Sequence, residues 1–231
     1  MTPSTRGADE LPDGRRVCNN MGPHIYARPW AEGDLQRLQE AESSFSVSTL
    51  TSRFLTGNTR LPPVYLARLR RPVSSSRSWL GHVAFVDGKL IGMAECAWPA
   101  DSSQPGDLAV LVADRWQRRG VGRLVVNGLL DQVEAAGITH LEAVADAVNV
   151  GCHALVRSVG REGNRSGDWS VRSWVTSGQR HFELRRRRVP ETADHGQWLP
   201  SPRVTVDSHR SRPPALLRTW RSAGLFTRRS A

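Results

Sequence analysis

From residue 25 to about residue 160 the apolar and polar positions fall into short, readable patterns. Ile25, Tyr26, Ala27 and Arg28 alternate as a short strand, which Pro29 closes because it cannot donate to a ladder. Asp34 stands where an N-cap is expected, ahead of a helix that puts Leu35, Leu38 and Ala41 on one face. SFSVSTLTSRF and TRLPPVYLARLRR follow as helical or irregular segments. HVAFV and KLIGMAECAW are rich in strand formers and are joined by Asp87-Gly88, a dipeptide suited to the two positive φ angles of a type I′ hairpin. DLAVLVAD is nearly all apolar, as a strand buried on both faces would be. The next segment, Gly120 to Ala136, carries Val121, Leu124, Val125, Leu129, Val133 and Ala136 on one helical stripe, with Gly137 at the C′ position. HLEAVAD then reads as a strand and CHALVRSV as a short helix. Two strands followed by β-α-β-α predict a single α/β layer structure.

Composition narrows this picture. The chain has 231 residues, 39% of them hydrophobic, which suits one domain with extensions. Its net charge of +10 raises nucleic acid or another anionic partner, but the charge is unevenly placed. Residues 1–160 hold 17 basic and 16 acidic side chains, and residues 161–231 hold 15 and 6, so the excess lies in the last third. Lys89 is the only lysine, so the charge is guanidinium, suited to forked contacts with phosphate or carboxylate. Residues 1–22 read as a disordered leader, 23–188 as the folded domain and 189–231 as a disordered Arg/Pro-rich tail. Arg185 to Arg188 with Trp169, Trp174, Trp198 and Trp220 are a candidate nucleic-acid patch, although a solvated tail without a specific partner is the simpler reading. Cys18, Cys96 and Cys152 form no metal-ligand spacing, so no metal is expected. Neither a signal peptide nor a membrane-length apolar run is visible, and a cytoplasmic location is expected. His82, His140 and His153 read as surface or packing residues, and Cys152 as a small core residue.

The chemistry concentrates where the apolar strand runs into Gln117-Arg118-Arg119-Gly120-Val121-Gly122 and a helix begins. Glycines at 120 and 122 let a ligand approach the backbone, and the free N–H groups of a first helical turn favour an anion. The third glycine of a dinucleotide fingerprint is missing, as is the Lys-Ser/Thr pair of a P-loop.

This segment resembles motif A of the GNAT superfamily of acetyl-CoA-dependent N-acetyltransferases, whose Q/R-x-x-G-x-G/A loop matches Gln117 to Gly122. HLEAVADAVNVGCHALVRSVG resembles the strand and motif B helix that follow in the family, with Asn149 near the cofactor. YARPWAEGDLQRL, SFSVSTLTSRF and the Asp-Gly hairpin further resemble the bacterial protein lysine acetyltransferases called Pat, so the likeness spans about residues 24–160. It implies the GNAT fold, a mixed but mostly antiparallel sheet flanked by helices, and acetyl transfer to an amine, with a protein lysine as the expected acceptor. A small amine is the rival acceptor. From a different class comes a catalytically weak acetyl-CoA binder whose arginine tail contacts nucleic acid. Val110, Leu111 and Val112 would pair with the pantetheine arm, and Gln117, Arg118, Arg119, Gly120, Val121, Gly122 and Arg123 would cradle the pyrophosphate. Asp107 takes the place of the Pat general base, a glutamate, and is one methylene shorter. A base is needed because an amine of pKa ~10.4 is almost wholly ammonium at neutral pH.

The chain departs from the family in two further places. The tyrosine that many relatives carry on the motif B helix as general acid is replaced by Val156. Gly160 is followed by Arg161 rather than phenylalanine, and the two strands that should close the sheet are hard to find. Trp169 to Arg187 is the stretch available to supply them; otherwise the fold is incomplete at its C-terminal end.

Overall fold

A computed structural model describes residues 15–17, 24–101, 105–160 and 169–187. Among the described residues, eight strands form one sheet in the order β1-β2-β3-β4-β5-β6-β8-β7. They are β1 (Arg15–Val17), β2 (Ile25–Pro29), β3 (Arg77–Val86), β4 (Lys89–Pro99), β5 (Gly106–Val112), β6 (His140–Asp146), β7 (Trp169–Thr176) and β8 (Gln179–Arg186). Every neighbouring pair is antiparallel except β5 and β6. Five α-helices among the described residues flank the sheet: α1 (Asp34–Glu40), α2 (Val47–Phe54), α3 (Pro63–Arg70), α4 (Val121–Ala135) and α5 (Val150–Val159).

Each face of the sheet has its own core. On one, Leu38, Phe45, Leu50, Tyr65 and Leu69 of the α1–α3 segment meet Trp79, Val83, Phe85, Met93 and Leu111 of the sheet. On the other, α4 and α5 cover Ala94, Cys96, Leu108, Leu141, Phe182 and Leu184. The buried stripe of α4 is Val121, Val125, Val126, Leu129, Leu130 and Val133. Leu124 is only partly buried and Ala136 is exposed at the C-cap, so the expected stripe is rotated slightly. Gly92 allows α4 its approach, since a Cβ there would lie 2.7 Å from Val121 Cγ1.

Asp87 and Gly88 have φ of 49° and 74°, as the type I′ turn requires, and β3 and β4 pair along their whole lengths. Asp34 does not cap α1. It lies one residue inside, Gly33 occupies the cap with φ 89°, and the buried Asp34 carboxylate accepts from Ala31 N–H at 2.7 Å. It also receives both Arg28 Nη atoms at 2.7 Å, which fastens α1 to β2. Burial pushes this carboxyl up, but the Arg28 guanidinium and the Ala31 N–H outweigh it and hold Asp34 below its ordinary value.

The closing strands are present. Trp169–Thr176 and Gln179–Arg186 form a hairpin through Ser177 (φ 51°) and Gly178 (φ 76°), and β8 pairs with the full length of β6. The expected gap in the sheet is therefore filled among the described residues. Trp169, Phe182 and Leu184 are fully buried and anchor the hairpin in the core. The leader expected at residues 1–22 contributes Arg15–Val17 as an edge strand along β2. The tail expected from residue 189, with Trp198 and Trp220, lies outside the described residues.

Candidate active site

The parallel pair at the centre of the sheet opens almost at once. β5 and β6 are in register only at Gly106↔Leu141 and Asp107↔Glu142. Beyond Asp107, β5 stays with β4 as far as Val112↔Gly92, while β6 stays with β8 as far as Asp146↔Gln179. A wedge results, with Asp107 and Glu142 at its apex and the backbone of Val110, Leu111 and Val112 along one side, past the last pairing with β6. Five residues of strand separate apex from mouth, about 17 Å.

At the mouth the chain turns into α4. Arg118 (φ 60°) and Gly120 (φ 86°) both adopt left-handed conformations, the backbone from which anion-binding turns are built. The first helical hydrogen bond here runs from Leu124 N–H to the Gly120 carbonyl at 2.9 Å, so the N–H groups of Val121, Gly122 and Arg123 precede it without helical acceptors. Space above Gly120 is open: a Cβ there would meet no atom within 4 Å. Arg118, Arg119 and Arg123 are exposed around the loop, and the Arg119 guanidinium lies 5.7 Å from the centre of the Trp116 ring. The loop thus offers N–H donors, a helix N-terminus, room and permanent cations, which fits a pyrophosphate.

Two expected loop residues have structural duties as well. The exposed Gln117 side chain folds back on its neighbours, where Nε2 lies 2.8 Å from Thr49 Oγ1, 3.2 Å from the Val112 carbonyl and 3.3 Å from Asp114 Oδ1. Thr49 in turn donates to Asp114 Oδ1 at 2.6 Å, so this brace ties the loop to α2. Asn149 caps α5, its Oδ1 accepting from Cys152 N–H at 2.9 Å. A Cβ on Gly151 would lie 3.4 Å from that oxygen and 3.7 Å from Arg118 Nη1, so the start of α5 and the loop share one end of the wedge. Val156, the residue expected in place of the family's tyrosine, is buried in the core and gives α5 no hydroxyl there.

At the apex, Trp79 of β3, Ala97 of β4, Asp107 of β5 and Glu142 of β6 stand in one register row. Trp79 and Ala97 belong to the core under α1–α3, so this row presents Asp107 to the α1–α3 face. Asp107 remains reachable by solvent. Even so, desolvation by the protein around it, with the Glu142 charge alongside, lifts its carboxyl to about 6, against the opposing pull of Arg77, Arg53 and Arg68. On the same face lies a buried polar cluster. Glu95 Oε1 is ion-paired with Arg53 of α2, and Oε2 accepts from Trp79 Nε1 at 2.8 Å. The Tyr65 hydroxyl sits beside the pair, pushed far above its ordinary value first by burial and then by the Glu95 charge. Glu142, Arg77 and this cluster are absent from the residues singled out in the sequence. A charge inside the otherwise apolar run KLIGMAECAW is the signal that marks Glu95.

The proposed tail patch is partly taken up by the fold. Trp169 is buried, Trp174 stacks on His181 at 5.6 Å, Arg185 Nη2 pairs with Glu183 at 2.6 Å and Arg186 pairs with Glu134. Among the described residues no group of three or more His, Cys, Asp or Glu is placed to hold a metal, and no helix is long and apolar enough to cross a membrane.

Comparison with known proteins gives the family and the fold. Residues 46–160 match the Acetyltransferase (GNAT) family. Over 154 residues the chain is 28% identical to the acetyltransferase PA5475 of Pseudomonas aeruginosa, covering 65% of this chain and 81% of that one. The GNAT domain of S. lividans PAT superposes with a TM-score of 0.61 at 20% identity, over 75% of this chain and 98% of that domain. A GNAT-family acetyltransferase of Streptococcus pneumoniae superposes at 0.50 with 16% identity, over 71% and 99%. With a sheet wedge, an anion-binding turn at its mouth and a family match that spans both, this chain belongs to the GNAT family of acetyl-CoA-dependent acetyltransferases.

Proposed function

We propose that the chain acetylates the side-chain amine of a protein lysine, with Asp107 as the general base. The observation that carries this reading is the wedge itself, which holds an anion-binding turn at one end and a lone-pair donor of raised basicity at the other. The turn of Arg118 to Arg123 holds the pyrophosphate, and the open backbone of Val110, Leu111 and Val112 lines the arm that reaches toward the apex. Bound acetyl-CoA supplies the thioester that the freed amine attacks, the C–N bond forming as the C–S bond breaks. Asp107 takes the proton that the lysine ammonium must lose first. A carboxyl near 6 is a stronger base than an ordinary aspartate and is still mostly ionised at neutral pH, the combination that proton removal needs. The shorter side chain is compatible with a water between carboxylate and amine. α5 supplies no acid at Val156, so the departing sulfur takes its proton from solvent or from the amine.

A protein lysine is favoured over a small amine by the likeness of YARPWAEGDLQRL and SFSVSTLTSRF to the Pat enzymes, since these segments supply β2, α1 and α2, the helices lying on the sheet face that carries Asp107. Asp107→Asn tests the base: turnover is expected to fall by at least about 100-fold while acetyl-CoA affinity stays within about twofold. A variant that keeps the wild-type rate would remove Asp107 from the mechanism.

A further inference from the structure

Arg77 opens β3 opposite Pro99 of β4, two residues along from the row that contains Asp107. Residues two apart on a strand share a face, so Arg77 lies on the α1–α3 side with Trp79 and Asp107. The two strand spacings from β3 to β5 place it about 10 Å across the sheet from Asp107. Its guanidinium is partly buried and makes no side-chain hydrogen bond or ion pair among the described residues. Arg68 of α3 stands near enough that burial, and then the Arg68 charge, lower Arg77 below its ordinary value. The Glu95 and Asp107 charges oppose that shift; Glu95 is itself held by Arg53 and Trp79, and Asp107 lies two strands away in the neighbouring register row. Arg70 and Arg71 continue the basic rim at the end of α3, both exposed. A partly desolvated guanidinium beside a like charge is costly, and an anion from outside the chain relieves it.

From this placement we infer that Arg77 is an acceptor-recognition residue, binding a carboxylate carried next to the amine that Asp107 deprotonates. The inference rests on the acetyltransferase reading of the same cleft. For a lysine acceptor it specifies an acidic peptide, with aspartate or glutamate one or two residues from the lysine. Extended peptide advances about 3.3 Å per residue, so that offset, together with the side chains, spans the separation between the two groups. Arginine suits the task because its planar fork matches a carboxylate at two points.

The test compares lysine peptides carrying Glu at the two positions on either side of the lysine with otherwise identical peptides carrying Gln. Binding is measured by calorimetry and acetylation by CoA release, for the wild type, Arg77→Gln and Arg77→Lys. The wild type is expected to bind at least one Glu peptide about tenfold more tightly than its Gln counterpart, a preference that salt weakens. Arg77→Gln should erase the preference and Arg77→Lys should restore part of it. Equal wild-type binding of every pair, or a preference that survives Arg77→Gln, would overturn the inference. Discrimination in binding without acetylation of any lysine peptide would support Arg77 as a carboxylate site and count against the lysine reading instead.

Discussion

Asp107, the base we propose, is a carboxyl group whose basicity the fold has raised. Because its folded pKa of about 6 exceeds the ~3.9 of an unfolded aspartate, folding favours the protonated form. That advantage is complete below the unfolded value and is lost as pH rises through about 6, so at neutral pH the ionised carboxylate is a net cost to stability. Asp107→Asn should therefore melt at a higher temperature than the wild type at pH 7.5 and lose that margin near pH 4, a comparison that thermal unfolding makes directly. The same shift predicts that kcat/KM rises with pH through about 6 as the base becomes ionised. Glu142→Gln removes the like charge across the β5–β6 pair and should move that rise to lower pH while leaving a working base. An unmoved profile would assign the shift to desolvation alone. At this scale the sequence was informative about types and silent about neighbours. Asp107 was legible from its place in motif A, but Glu142 became its partner only through a two-residue parallel pairing that no local pattern encodes.

The elements divide in the same way. The Asp87-Gly88 hairpin and the α4 stripe are read from local chemistry and period, because turn geometry and one-sided burial act within a few residues. The Ser177-Gly178 hairpin was harder to read because WSVRSWVT carries arginine and serine through an edge strand, of which only the first residue is buried. Asp34 looked like a helix cap until tertiary contact with Arg28 and Arg37 drew its carboxylate away from the helix end. Gln117, expected in the cofactor loop, also gives its side chain to a brace with Thr49, Val112 and Asp114, a duty that the motif does not reveal. The turn before α4 yields a sharper prediction. Gly120 has φ 86° with open space above it, so Gly120→Val fails through backbone strain of about 1–3 kcal/mol and through obstruction of the anion site, not through a clash with the core. Acetyl-CoA should stabilise the wild type in a melting experiment and leave Gly120→Val unshifted. Undiminished stabilisation of the variant would take the pyrophosphate away from this turn.

For the whole molecule, the net charge of +10 first suggested a partner for the entire surface. Within the folded domain the cations are instead placed separately: Arg118, Arg119 and Arg123 are exposed around the turn before α4, Arg53 is paired with buried Glu95, and Arg77 is the residue we propose for acceptor recognition. The sheet places these groups by diverging at one pair of strands, and the C-terminal hairpin makes that divergence possible by giving β6 a partner other than β5. The measurement that bears most directly on this arrangement is CoA release from acetyl-CoA in the presence of a lysine peptide, followed from pH 5 to pH 8 for the wild type and Asp107→Asn. Release that depends on the peptide, climbs through about pH 6 and disappears in the variant is the predicted result. Release that is equal in the two proteins across that range would contradict a base at the apex of the wedge.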